Sequence, residues 1–419
     1  MDTIKIHGRV GLQGQVRIQG SKNAALPILA AVLMTEEETV LQNVPKITDV
    51  YRMLQILKCM GFDIRFFENE IRIRRLNKNQ NTLPSEAITG MRSSMYLMGA
   101  LLGKGGKISM EYPGGCVIGE RPIDLHIKAL SQMGVCFQET KEKIQGYVQG
   151  KLHGACIRLP FPSVGATENV ILAGVLAQGR TLLFGAAREP EIQALCEFLN
   201  CCGARIQGQG TDQIVIEGVK GLGGCTYRIP PDRIVAGTYM LMTAATGGCT
   251  LLKDVRPDEM EAVTSLIKEM GCDCQDTKNG IYVQAPERLR SINRIETAVY
   301  PGFPTDLQSL AMVTVLQIPG ETYMKENIFE NRFQILPQLE AMGASLQMLD
   351  NRCVRVRGGR KLSGTRVSAR ELRGGAALVA AGLIADGLTT VDGLCYIDRG
   401  YENICKDLRE LGARIYREK

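Results

Sequence analysis

The sequence predicts an α/β protein of two domains, each built from three copies of one helix–strand–helix–strand–strand unit. Three observations predict it. Six helical patterns end alike, in LKCMG at Gly61, LSQMG at Gly134, LNCCG at Gly203, IKEMG at Gly271, LEAMG at Gly343 and LRELG at Gly412. The intervals between these glycines, 73, 69, 68, 72 and 69 residues by subtraction, are nearly constant, which marks an internally repeated chain. The sixth copy stops at GARIYREK without closing strands, while the N-terminal GRVGLQGQVRIQGSKN resembles two stretches between later copies, GKLHGACIRLPFPSVG and RKLSGTRVSARELRGG.

Each unit opens with an apolar helix, expected over Asn23–Met34, Ser94–Leu102, Thr167–Ala177, Ala236–Ala245, Asp306–Leu316 and Ala376–Ala385. These helices are apolar nearly all round, as a helix packed inside others must be. A glycine-bounded strand follows, such as GGKISM or GRTLLF. The second helix is amphipathic: in the first copy Val50, Met53, Leu54, Leu57 and Met60 form one stripe at helical spacing. Its terminal glycine suits a C-cap with positive φ. Two alternating strands close the unit, as in ASLQM and CVRVRG of the fifth copy. Residues 1–21 are expected to complete the sixth unit. That makes a discontinuous domain of 1–21 with 230–419 and a continuous one of 22–229. The crossings fall near Ser21-Lys22 and Pro230-Pro231, and two crossings at one place imply a hinge and a closing cleft.

Composition narrows the function. Over 419 residues, 45% hydrophobic and 22% charged residues describe a globular chain with a large core. With no Trp and few aromatics there is little for stacked bases to rest on. A net charge of +6 fits an anionic small molecule at least as well as nucleic acid. Fourteen cysteines raise the question of disulfides. However, Met1-Asp2-Thr3 leads directly into a strand-like segment, and Cys59, Cys196 and Cys405 fall within helical runs, so a reduced cytoplasmic protein is expected. Cys272-x-Cys274, Cys201-Cys202 and three scattered His do not make a zinc pattern. No metal or cofactor is expected. The longest apolar run, Ala24 to Met34, is too short to cross a membrane. Neither nucleic acid nor membrane is an expected partner, and oligomeric state is open.

The chemistry concentrates at two kinds of place. One is the loop PGGCVIGERPIDL, from Pro113 to Leu125, where Cys116 sits among glycines ahead of Arg121 and a helix start. The other is the start of each first helix, at Lys22-Asn23, Arg92-Ser93-Ser94, Ser163 to Thr167, Asp232-Arg233, Thr305-Asp306 and Arg373. Helix N-termini favour anions. Asp232, Asp306, Ser163 and Thr167 are capping residue types; capping accounts for Thr167 better than function does, and for Asp306 equally well. A basic residue opposes the dipole there, so Lys22, Arg92 and Arg373 call for a bound anion. Arg188, Arg256, Arg332 and Arg399 recur in the turn before the second helix, with Arg121 matching them in the second unit. Structural ion pairs with Glu189, Glu191, Asp258 and Glu330 are expected for these arginines, except Arg121 and Arg399.

The motifs GSKNAALPILAA, RSSMYLMGALL, PGGCVIGERPIDLHI, SVGATEN, AAREPEI, PDRIVAGT, FPTDLQS, FENRF and IDRGYEN resemble the UDP-N-acetylglucosamine 1-carboxyvinyltransferases, enolpyruvyl transferases of peptidoglycan synthesis. The resemblance covers nearly the whole chain. It implies a two-domain inside-out α/β barrel fold, with phosphoenolpyruvate and UDP-N-acetylglucosamine as substrates. It also implies addition then elimination through a tetrahedral ketal. By the same resemblance Cys116 protonates the phosphoenolpyruvate methylene and can form an adduct with it, and Asp306 is the candidate base at the sugar hydroxyl. Lys22, Arg121 and Arg399 match the phosphate cluster, and Arg373 the carboxylate-binding arginine. Asn23 and Arg92 match residues near the sugar nucleotide and the ketal. Arg121, Pro122, Ile123, Asp124 and Leu125, with Ser163, Val164 and Gly165, match the nucleotide site, and Ile328 an apolar contact. Three positions depart from the pattern: Phe161 where some members carry Lys, Gly374-Gly375 where some carry Ala-Ser, and Glu120 beside Arg121. The alternatives are the sister enzyme that makes 5-enolpyruvylshikimate 3-phosphate, and a non-catalytic or nucleic-acid-binding paralogue. Asn23 and the PGGC loop speak against the sister enzyme. Cys116 and Asp306, both present, speak against a paralogue that has lost catalysis.

Overall fold

A computed structural model of the chain describes residues 2–76, 94–111, 123–140 and 143–418. The helices are α1 (Lys22–Ala31), α2 (Thr48–Cys59), α3 (Ser94–Gly103), α4 (Asp124–Gln132), α5 (Val164–Gly174), α6 (Pro190–Cys201), α7 (Arg233–Thr246), α8 (Glu261–Glu269), α9 (Gln308–Val315), α10 (Leu336–Ala341), α11 (Leu372–Ile384), α12 (Leu394–Ile397) and α13 (Ile404–Glu410). Six of them, α1, α3, α5, α7, α9 and α11, open the repeats. The second helices are α2, α4, α6, α8, α10 and α13. The six glycines that end the second helices all have positive φ, from 82° at Gly61 to 100° at Gly203. Only glycine adopts that conformation without a Cβ penalty, so the repeated sequence signal has a backbone cause.

The third repeat shows the four-stranded sheet that five of the units build, while among the described residues the second repeat has three strands of it. Cys156–Arg158 runs parallel to Arg180–Phe184, which pairs antiparallel with Gln213–Glu217, which in turn pairs with Arg205–Gln207. In the sixth repeat the N-terminal strand Thr3–His7 lies antiparallel between Leu388–Asp392 and Arg414–Glu418. The chain start therefore fills the place that the second hairpin strand holds elsewhere. The next strand, Gln13–Arg17, runs parallel to Cys249–Lys253 of the fourth repeat. Thr226–Arg228, after the third repeat, returns to run parallel to Thr39–Gln42 of the first.

The described residues form two compact units. The terminal unit holds 2–19 and 231–418, and the central unit holds the described part of 20–230. Each has its own apolar core. The first helices supply most of it: every residue of α11 is buried, as is α7 from Ile234 to Ala245. Burying one Leu or Ile side chain contributes roughly 1.5–3 kcal/mol. That outweighs the cost of about 1 kcal/mol for each glycine within a helix, so α11 tolerates Gly374 and Gly375.

Three helix starts fall three or more residues ahead of expectation, and one of them is the fourth first-helix, which begins at Arg233, not Ala236, behind its cap Asp232. The third first-helix begins at Val164, not Thr167, because Ser163 caps it by accepting the Ala166 N–H. Thr167 is consequently not a cap; its hydroxyl lies inside the helix and accepts the Ala187 N–H at 3.0 Å. The sixth begins at Leu372, not Ala376, because Glu371 caps it through the Arg373 and Gly374 N–H groups. A Cβ at 374 would come 2.5 Å from Glu371 Oε1, and one at 375 would come 2.7 Å from Ile397 Cγ1. The Gly-Gly departure thus makes room for the glutamate cap and for Ile397. Among the described residues the cysteines are free, and no helix is long and apolar enough to cross a membrane.

Candidate active site

In the terminal unit the FPTD stretch forms a 3-10 turn, Thr305–Leu307, ahead of α9. It does not use Asp306 as a cap. The carboxylate instead receives Arg332 Nη2 at 2.8 Å on Oδ1, and Arg373 Nε and Nη2 at 3.3 and 3.2 Å on Oδ2. Both guanidiniums are sealed, with side chains 2% and 4% exposed, whereas Asp306 is 27% exposed. The acid is therefore the outward member of a buried cluster with two positive charges and one negative. Charge-assisted contacts from both sides fix its orientation.

Surrounding groups hold that cluster in place. Arg332 Nε donates to Thr305 O. The Thr305 hydroxyl donates to Glu326 Oε2 at 2.9 Å, and Glu326 Oε1 accepts the Ile328 and Phe329 N–H groups. The fully buried Glu326 thereby joins the FPTD turn to the segment carrying Ile328. Arg373 Nη1 reaches the Tyr401 hydroxyl, which pairs with Thr238 at 2.8 Å. Burial works against the Arg373 charge, but Asp306, Tyr401 and Asp232 outweigh it and hold the group above its usual value. Asp232 itself caps α7, accepting the Ile234 and Val235 N–H groups. Arg399 lies in the turn after α12. The side chain of Gln19 clamps that turn, donating to Gly400 O and accepting the Glu402 N–H.

In the central unit Lys22 opens α1 behind its cap Ser21, and Asn23 follows it. Lys22 Nζ lies 3.0 Å from Asp49 Oδ2, a carboxylate 2% exposed in the first turn of α2. The anions expected at the basic helix starts are therefore supplied in part by the protein: Asp49 for Lys22 and Asp306 for Arg373. Two of the expected ion pairs are corrected. Arg332 pairs with Asp306, while Glu330 pairs with Arg352. Arg256 pairs with Glu259, not Asp258. Arg188 Nε donates to a backbone carbonyl, Gly210 O.

The starts of α4 and α5 meet. Ile123 precedes α4 and Asp124 and Leu125 open it, while Ser163 caps α5 and Val164 and Gly165 open it. The ring of His126 lies against Gly165, where a Cβ would come 2.9 Å from its Cε1. Burial lowers His126 to about 4, against the pull of Asp124, so the imidazole is neutral at physiological pH. On α5, Glu168 is fully buried, and among the described residues neither carboxylate oxygen has a hydrogen-bond partner. Burial first, then Glu191 and Glu189, push it well above 4.5. Glu168 is therefore a neutral acid when folded and ionised when unfolded, so its contribution to stability falls as pH rises above 4.5. Glu168→Gln is expected to gain on the native protein in melting temperature between about pH 5 and pH 8. An equal difference at both values would exclude the buried neutral acid.

Cys116, Arg121, Pro122 and Arg92 lie outside the described residues. Of the others, the fold joins Asp306 to Arg373 within one unit, and Asp124–Leu125 to Ser163–Gly165 within the other. Arg332, Glu326, Gln19, Asp49 and the His126–Asn169 pair were not foreseen as parts of these clusters. Only Arg332, repeated before its second helix, carried a sequence signal.

Six repeats in two units define an α/β protein, with buried guanidiniums orienting a partly open carboxylate in the terminal unit and the starts of α4 and α5 side by side in the central one. The family profile described as EPSP synthase (3-phosphoshikimate 1-carboxyvinyltransferase) matches residues 6–408. A UDP-N-acetylglucosamine 1-carboxyvinyltransferase 2 of Caldanaerobacter subterraneus is 44% identical, covering all of both chains. A UDP-N-acetylglucosamine 1-carboxyvinyltransferase of Serratia proteamaculans is 42% identical, again covering all of both. The enolpyruvyl transferase NikO of Streptomyces tendae superposes with a TM-score of 0.89 over 99% of this chain and 98% of its own, at 22% identity. EPSP synthase of Acinetobacter baumannii superposes with 0.73 over all of both, at 20% identity. These two show the fold, the two-domain inside-out α/β barrel of enolpyruvyl transferases. The chain belongs to the UDP-N-acetylglucosamine 1-carboxyvinyltransferase family of enolpyruvyl transferases, and it is a transferase.

Proposed function

We propose that the chain transfers the enolpyruvyl group of phosphoenolpyruvate to the 3′-hydroxyl of UDP-N-acetylglucosamine with release of phosphate, in the cytoplasm, as the first committed step of peptidoglycan precursor synthesis. The observation that carries this reading is the Asp306 carboxylate, oriented by Arg332 and Arg373 and left partly open. A carboxylate so held is placed to take a hydroxyl proton. In the addition, the Cys116 thiol gives its proton to the methylene carbon. The sugar oxygen then bonds to the central carbon and its proton passes to Asp306. In the elimination, the new methyl group returns a proton to the Cys116 thiolate, its C–H electrons form the carbon–carbon double bond, and the carbon–oxygen bond to phosphate breaks with its electron pair leaving on phosphate.

Lys22, Arg121 and Arg399 hold the phosphate, and Arg373 the carboxylate of phosphoenolpyruvate. Asn23 and Arg92 serve the sugar nucleotide and the ketal. Arg121 to Leu125 and Ser163 to Gly165 take the nucleotide, with Ile328 as an apolar contact. Phosphate release from phosphoenolpyruvate should require UDP-N-acetylglucosamine. Release with shikimate 3-phosphate in its place would move the chain to the sister activity.

A further inference from the structure

Asn169 stands one turn into α5 and makes three polar contacts that together leave its amide one orientation. Its Oδ1 accepts the Gly99 N–H of α3 at 2.6 Å. Its Nδ2 lies 3.2 Å from Gly165 O and 2.8 Å from His126 Nδ1. Turning the amide over would set its NH2 against the Gly99 N–H and its oxygen against Gly165 O. With the NH2 group toward the ring, His126 Nδ1 must accept. A neutral imidazole carries one proton, so that proton is on Nε2. Nε2 in turn lies beside the first turn of α5, 3.3 Å from where a Cβ on Gly165 would be. Among the described residues the charge that acts on the ring is Asp124, itself 3.2 Å from Lys128.

We propose that Asn169 is a positioning residue: it locks His126 in the Nε2–H form, so that a donor rather than a lone pair joins the α5 start in holding a diphosphate oxygen. The inference rests on the reading that Asp124–Leu125 and Ser163–Gly165 hold the nucleotide, and it deepens that reading. A lone pair aimed at phosphate would repel it. The donor form adds a charge-assisted hydrogen bond without placing a charge against Lys128 or the helix dipole.

The test uses the full chain with Asn169→Asp, which preserves the acceptor for Gly99 but presents an oxygen to Nδ1. The ring must then place a proton on Nδ1. Nitrogen-15 spectra of the three imidazoles, with the His126 signals assigned by their loss in His126→Gln, should show His126 as a neutral Nε2–H ring in the native protein and as an Nδ1–H ring in the variant at about pH 8.5. Calorimetry with UDP-N-acetylglucosamine should show affinity about tenfold weaker in the variant at that pH, the loss of one hydrogen bond to a charged group. Affinity should recover as acid adds the second proton. If the variant does not fold, His126→Met should lose a similar factor and His126→Gln, which returns a donor near Nε2, should recover most of it. A native ring protonated on Nδ1 overturns the positioning role, as does a tautomer switch that leaves affinity unchanged. Absence of any binding by the native protein, with the Nε2–H ring present, overturns the nucleotide reading and the diphosphate role with it.

Discussion

Asp306→Asn will slow turnover by roughly 10²–10⁴, the range for removal of a general base. The amide has the shape of the acid, so the FPTD turn and its contacts to Arg332 and Arg373 are retained in outline. What is lost is the ability to take a proton. A second effect follows from charge. The native cluster sets one carboxylate between two guanidiniums that are 2% and 4% exposed. Without the anion Arg332 loses the carboxylate it pairs with, and Arg373 keeps Asp232 as its acidic neighbour. Breaking a buried pair costs about 3–5 kcal/mol, and because Asp306 is 27% exposed the loss is expected at about 3 kcal/mol or a little less. Phosphate release under saturating substrates reads the first effect, and the urea midpoint reads the second. Turnover within about twofold of native, with the lower midpoint present, would leave Asp306 a structural carboxylate and remove it as the base.

Cys116→Ser will abolish or greatly slow turnover. The residue lies outside the described part of the structure, so the argument stands on chemistry and on its sequence setting. A free thiol has a pKa near 8.5, lowered beside arginine, and Arg121 lies five residues further on. A serine hydroxyl is a far weaker acid, and without an adjacent base it is also a weak nucleophile. Mass spectrometry of the native protein with phosphoenolpyruvate should reveal a single adduct that the variant lacks. Full activity in the variant would end the role of Cys116 as acid, and an adduct at another cysteine would relocate the reactive thiol.

How much was legible depended on how far apart the cooperating residues are. The terminal glycines of the second helices were readable because a C-cap is a local event, and all six have the positive φ that the pattern required. The capping of α5 was less readable. Ser163 and Thr167 are both capping types, and only the position of the Ala166 N–H decides between them. The role of Glu371 was not foreseen, because the helix was expected only from Ala376, five residues beyond it, whereas every residue from Leu372 is buried in the helix.

The sequence by itself determined the repeat, the incomplete sixth copy and the family, and named the candidate site residues, because these are periodic or contiguous signals. Only the tertiary structure decided which charges meet. Arg332 is 26 residues from Asp306, Arg373 is 67, and Asn169 is 43 from His126. At such separations the partner is chosen by which helix starts the core packing brings side by side. In the sequence Arg332 was matched to Glu330, its near neighbour, and not to Asp306. In the fold, Arg332 is sealed beside Asp306, and Glu330 stays outside to pair with Arg352. A buried guanidinium needs a carboxylate within reach of its own sealed site, and sequence distance does not supply that.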